Sequence, residues 1–200
     1  MKLREYQNNI AIQAGNKLMA FGCCYLSMEC RTGKTLTALY AADKFNAKSV
    51  LFITKLKAIP SVKSDYIALQ PSFKLEVVNF ESSHKVTGKY DLVIIDEAHS
   101  LGAYPKPSKR TQEIRTICEG LPVLYLSGTP SPESYSQLYH QFWVCSKSPW
   151  KNYKSFYKWA KEYVYTRQKK VNGYLINDYS CANKPKIDND TRNLFISYSQ

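Results

Sequence analysis

Glycine and proline are scarce in this 200-residue sequence, at eight and nine. That scarcity excludes a collagen-like, low-complexity or largely disordered chain. No apolar run approaches the ~20 residues that span a bilayer. The opening residues, MKLREYQNNI, lack the apolar segment of a signal peptide. Six cysteines are present (Cys23, Cys24, Cys30, Cys118, Cys145 and Cys181), but none forms a CxxC pair or joins a histidine at zinc-finger spacing. Several sit in apolar stretches and are expected to be reduced core residues. There is no internal repeat. A cytoplasmic protein that makes no membrane contact is expected, with one full core and at most a small appendage.

Acidic residues are also few. There are 16 Asp and Glu against 28 Lys and Arg, a net charge of +12. Residues 1–145 hold 17 basic and 12 acidic residues, and residues 146–200 hold 11 and 4. Such an excess suits a polyanionic partner through counterion release, although a solvated basic surface would look the same.

Short, continuously apolar runs recur at Cys23–Met28, Ser49–Thr54, Lys74–Asn79, Leu92–Ile95 and Val123–Ser127. Runs of this kind predict strands buried on both faces of a parallel sheet. Amphipathic segments lie between them, such as 34–45 with Leu36, Leu39 and Tyr40 on one side. The alternation predicts a doubly wound α/β layer. Residues 4–18 read as a preceding helix. Beyond residue 145 come an aromatic, lysine-rich helical stretch and then two alternating runs around Asn172-Gly173, a strong hairpin signal. Residues 183–190, with Pro185, read as a polar connector, and the final FISYSQ reads as a strand entering a further unit. The expected division is therefore 1–145 as the main α/β domain and 146–200 as a helical and β-hairpin extension.

Three motifs fall at predicted strand ends. Glu29-Cys30-Arg31-Thr32-Gly33-Lys34-Thr35 follows the first strand and opens a helix, the context a phosphate-binding loop requires. Backbone N–H groups and the helix N-terminus would face the phosphates. In this reading Arg31, Thr32 and Gly33 shape the loop, Lys34 reaches the β- and γ-phosphates, and Thr35 ligates Mg²⁺. Met28 stands where the full GxxxxGK[ST] pattern has its first glycine. The second motif, Leu92-Val93-Ile94-Ile95-Asp96-Glu97-Ala98-His99, delivers two carboxylates at the sheet edge where ligands of open α/β sheets bind. Asp96 is the candidate Mg²⁺ holder, usually through water, and Glu97 the candidate acceptor of the attacking water's proton. Both pairs are expected to meet across neighbouring strand tips. The third motif, Leu126-Ser127-Gly128-Thr129-Pro130, offers Ser127 and Thr129 as hydroxyls that sense phosphate; a plain Gly-Pro turn is the alternative.

In this order the motifs resemble those of superfamily 2 helicases, a DEAH-box class, and especially the Swi/Snf-like branch and its phage relatives. The resemblance covers about residues 1–145. It implies a RecA-like P-loop domain using ATP and Mg²⁺ to move on DNA, with RNA as an alternative partner and the motor subunit of a restriction or repair complex as another setting. A non-catalytic nucleic-acid-binding module is the reading from a different class. The opening Leu3-Arg4-Glu5-Tyr6-Gln7 matches the branch's adenine-recognising segment, which assigns that role to Gln7. Arg31 stands where many members have glycine. His99 would couple the ATP site to the strand site. Phe52-Ile53-Thr54-Lys55 and the stretch around Phe80 resemble nucleic-acid-facing segments, though Thr54 equally suits a helix cap. The resemblance also implies a monomer and a second RecA-like domain that this sequence does not contain. No arginine here is assigned the role of the arginine finger, so slow or absent turnover is expected of this chain alone.

The aromatics from Tyr135 to Trp159 recur at helical spacing among lysines. They read as a face packed on the core, with a stacking surface for nucleic acid as the alternative. Arg167, Lys169 and Lys170 on the hairpin arms are the better nucleic-acid candidates, set against a merely solvated hairpin. His84 and His140 read as surface and packing residues.

Overall fold

The computed structural model describes residues 3–29 and 31–199; Cys30, inside the first motif, lies outside the described residues. The five apolar runs form strands at their expected positions: β1 (Cys23–Met28), β2 (Ser49–Thr54), β3 (Lys74–Asn79), β4 (Leu92–Ile95) and β5 (Val123–Ser127). Together with β8 (Phe195–Tyr198) they make a six-stranded sheet in the order β3-β2-β4-β5-β1-β8, and every pairing is parallel.

Helices flank both faces, and the two-residue period of each strand feeds both. Cys24, Leu26, Val50, Phe52, Ile94 and Leu124 point into one core. That core is covered by α1 (Glu5–Phe21), α2 (Lys34–Lys44) and α3 (Ile59–Leu69). Their strand neighbours Tyr25, Ile53, Val93, Ile95 and Tyr125 point into the other. There they meet α4 (Lys109–Ile117), α5 (Gln137–Trp143), α6 (Phe156–Tyr163) and α7 (Lys184–Thr191). Four cysteines, Cys23, Cys24, Cys118 and Cys145, are buried as free thiols. Among the described residues no helix is long and apolar enough to cross a membrane.

Two features of the C-terminal part differ from expectation. Residues 184–191 form α7 instead of a connector. Asn183 caps it by accepting from Lys186 N, and Pro185 sits in the first turn, where a missing N–H costs nothing. The last strand returns to the same sheet: β8 lies beside β1, with Ile196 opposite Leu26. Local sequence marks a strand but carries no information on its distant partner.

The aromatic stretch is core. Trp150, Phe156, Trp159 and Tyr163 are buried, and Trp159 stacks on Tyr163 at 5.0 Å between ring centres. The hairpin forms as β6 (Arg167–Val171) and β7 (Tyr174–Asp178), antiparallel and exposed along nearly its whole length.

Candidate functional site

The three motifs emerge on one edge of the sheet, at the C-terminal ends of β1, β4 and β5. β5 lies between the other two, so the lysine and carboxylate pairs do not sit on neighbouring strands as expected. Two strand steps of about 4.8 Å, roughly 10 Å in all, separate the tips of β1 and β4.

The loop after β1 is built from backbone turns. Arg31 adopts φ 67 and Gly33 φ 75, both left-handed, and α2 starts at Lys34. Thr32 is buried and donates its hydroxyl to the Glu29 carbonyl at 2.7 Å. The Thr32 carbonyl in turn accepts from Tyr6 Oη at 2.9 Å and Gln7 Nε2 at 3.3 Å. Gln7 also closes the start of α1, where its Oε1 accepts from Arg4 N at 2.9 Å. It lies so close over Gly33 that a Cβ there would come within 2.2 Å of Nε2. One buried glutamine thus holds both the helix start and the loop. Lys34 bends back along the loop, and its Nζ donates to Met28 O at 2.6 Å. Thr35 occupies the first turn of α2, half-buried.

On β4, the backbone N–H of Asp96 bonds to Ile53 O and continues the ladder to β2. Its carboxylate accepts from Thr54 Oγ1 at 2.7 Å and from Glu97 N at 2.9 Å. Burial pushes the Asp96 carboxyl above its ordinary range, while the Thr54 and Glu97 donors and the positive charge of Lys34 pull it down. That last influence ties the β1 loop electrostatically to β4. Glu97 stands in the left-handed region at φ 51, an uncommon backbone state of the kind that clusters at functional sites. Its carboxylate lies 3.0 Å from Lys55 Nζ and 3.4 Å from His99 Nδ1.

His99 Nδ1 is also 2.9 Å from Ser127 Oγ, and Ser127 Oγ accepts from Thr129 N at 3.1 Å. A continuous chain of polar contacts therefore runs from Glu97 through His99 to the loop after β5. From there the chain reaches the hairpin. Gln141 Nε2 donates to Pro130 O at 2.7 Å, Ser134 Oγ to Ser180 O at 2.7 Å and Ser136 Oγ to Tyr179 O at 2.6 Å. The root of the hairpin is thus fastened to the residues that follow the third motif.

Two residues read as nucleic-acid contacts are turned inward. Phe80 is buried beneath the Arg110 guanidinium, 4.9 Å from its ring centre, and has no open face for a base. The Thr54 hydroxyl is buried and committed to Asp96, so it neither caps a helix nor faces a phosphate. Lys55 is exposed but paired with Glu97. Arg167, Lys169 and Lys170 are exposed on β6, with Lys169 paired to Asp178 at 3.4 Å.

Sequence reasoning passed over Tyr198, which stacks on Tyr6 with ring centres 4.2 Å apart, and Gln141, whose polar atoms join Tyr25 to Pro130. No local signal marks either, because both act across elements far apart in the chain. No protein-family model matches this sequence, and no curated protein matches it. Fold and site together define an α/β protein with an all-parallel central sheet, whose loop lysine, carboxylate pair and Ser127–Thr129 hydroxyls share one sheet edge.

Proposed function

We propose that this chain is a RecA-like ATP-binding domain of a nucleic-acid motor of the superfamily 2 helicase class, with DNA as its polymer. The observation that carries the reading is the placement of Lys34–Thr35, Asp96–Glu97 and Ser127–Thr129 at the ends of three contiguous parallel strands, with His99 bridging the second motif to the third, Thr54 bonded to Asp96, and Gln7 bonded to the loop before Lys34.

The residues present fit a magnesium triphosphate. Gly33 stands at φ 75 and directly precedes α2, a backbone conformation and a helix start that suit close approach of a phosphate. Asp96 is a hard oxygen donor of the type Mg²⁺ prefers. The bound metal would neutralise charge on the phosphates. Lys34 would exchange its carbonyl partners for phosphate oxygens, Thr35 and Asp96 would hold the metal, and Glu97 would accept the proton of the attacking water. Gln7, already touching the loop, reads the base. His99 and Ser127 relay the state of the site toward Pro130 and the hairpin root.

The test is calorimetric titration of Mg-ATP into the wild type and Lys34→Ala. A loss of at least tenfold in affinity supports the reading. Equal affinity would overturn it and favour a binding module without nucleotide chemistry.

A further inference from the structure

The strongest feature outside that site is a hollow of about 320 Å³ at the opposite end of the sheet. Its place is fixed by Cys145, which lines it and whose thiol contacts the carbonyls of Gly22 and Leu121, just ahead of β1 and β5. Strands of five or six residues at about 3.3 Å each put it some 15–20 Å from the Lys34 loop. That is too far to serve a nucleotide held by that loop.

The lining is cationic. Arg115, Lys151 and Lys154 face it, together with Trp143, Ser146 and Ser148, and no carboxylate lines it. Among the described residues none of the three cations is ion-paired, although Arg110, Lys169, Lys184 and Lys186 elsewhere all are. Arg115 is held in place: its guanidinium lies 3.8 Å from the centre of the Trp143 ring, and Nη1 donates to Trp143 O at 3.1 Å. A guanidinium fixed this way keeps donors free and loses little freedom on meeting an anion. The Trp143 face it covers is not open to a base, so the chemistry offered is charge and hydrogen bonding to phosphate rather than stacking. Residues 146–200, which supply both lysines, also carry most of the chain's positive excess.

We propose that this hollow is a second phosphate-binding site that takes the phosphodiester backbone of a nucleic acid, remote from the nucleotide. It rests on the nucleic-acid half of the function proposed above. Contacts of this kind position a strand without reading its sequence.

The experiment measures binding of a fluorescein-labelled single-stranded oligonucleotide by anisotropy across a salt series. Intrinsic tryptophan fluorescence, to which Trp143 contributes, is followed in parallel. The proteins are wild type, the exposed double variant Lys151→Glu/Lys154→Glu and its control Lys151→Arg/Lys154→Arg. The expected result is about tenfold weaker binding by the double glutamate variant. Its salt slope should be shallower by about 1.4, from two lost contacts at about 0.7 each. The arginine control should bind as wild type does. Unchanged binding by the glutamate variant overturns the proposal. So does a tryptophan response to inorganic pyrophosphate with oligonucleotide binding unaffected, which would make the hollow a free-anion site. Failure of Lys34→Ala to lose ATP bears only on the nucleotide reading, so the two can fail separately.

Discussion

Thr54 and Asp96 sit side by side at the tips of β2 and β4, and the threonine hydroxyl donates a 2.7 Å hydrogen bond to the aspartate. The bond compensates in part for burying a carboxylate whose proton affinity burial has raised. As pH rises past the unfolded value near 3.8, the unfolded chain releases this proton first. The stability tied to Asp96 is therefore complete below that value and is lost as pH climbs through the raised folded value. Asp96→Asn should then leave the melting temperature at pH 7 equal to or above that of wild type, with the difference vanishing below about pH 4. A clear drop at neutral pH would show that the charge itself supports the fold.

Removing the Thr54 hydroxyl should act the other way. Thr54→Val leaves a buried carboxylate oxygen short of a donor, at a cost of about 1–3 kcal/mol in urea unfolding. Thr54→Ser should restore most of it. Equal stability of all three proteins would contradict the role given to this bond.

Gly33 and Arg31 both adopt left-handed backbone, but their surroundings differ. A Cβ at Gly33 would press on Gln7 Nε2 and disturb both bonds that glutamine makes. Gly33→Ala is expected to cost about 1–3 kcal/mol in addition to weakening nucleotide binding. Arg31 is exposed, and Arg31→Gly should change stability by no more than about 1 kcal/mol, since relief at φ 67 offsets the added freedom of the unfolded chain. Thermal denaturation of the pair checks this ordering.

His140 is buried, with Nδ1 2.6 Å from Ala103 O. Burial, helped by the charge of Arg115, lowers its imidazole from 6.5 to about 4. Between those values the unfolded chain holds the extra proton, so stability should fall as pH drops through that window. At about 1.4 kcal/mol per pH unit the whole loss is roughly 3 kcal/mol. His140→Asn should start from a lower plateau and show a flatter profile from pH 7 to 4. An equally steep profile in the variant would assign the acid sensitivity elsewhere.

The aromatic cluster should behave as core. Trp159→Ala is expected to cost about 3–5 kcal/mol. Tyr157→Ala, on the exposed side of the same helix, should stay within about 0.5 kcal/mol.

Much of this fold was legible because each central strand is a short run apolar on both faces, which only a sheet covered twice can satisfy. The carboxylate pair and the loop lysine were legible for the same reason, since each motif ends such a run. What local pattern could not supply was pairing across distance. Nothing in FISYSQ says that it lies beside β1, nor that β5 separates β1 from β4. Phe80 and Thr54 misled because an aromatic and a hydroxyl near a strand end look alike whether they face outward or inward; the Arg110 and Asp96 contacts that turn them inward come from segments tens of residues away. Tyr198 and Gln141 became visible only once β8 and α5 had closed on the site.

In the proposed site Thr35, in the first turn of α2 after β1, and Asp96, at the tip of β4 two strands away, would hold one metal ion bound to one triphosphate. A double-mutant cycle on Mg-ATP affinity with Thr35→Ala, Asp96→Asn and the combined variant measures this directly. The account predicts that the combined variant loses little more than the worse single one, a coupling of about 0.5–3 kcal/mol that disappears when Mg²⁺ is chelated. Losses that simply add, or that persist unchanged without the metal, would contradict it.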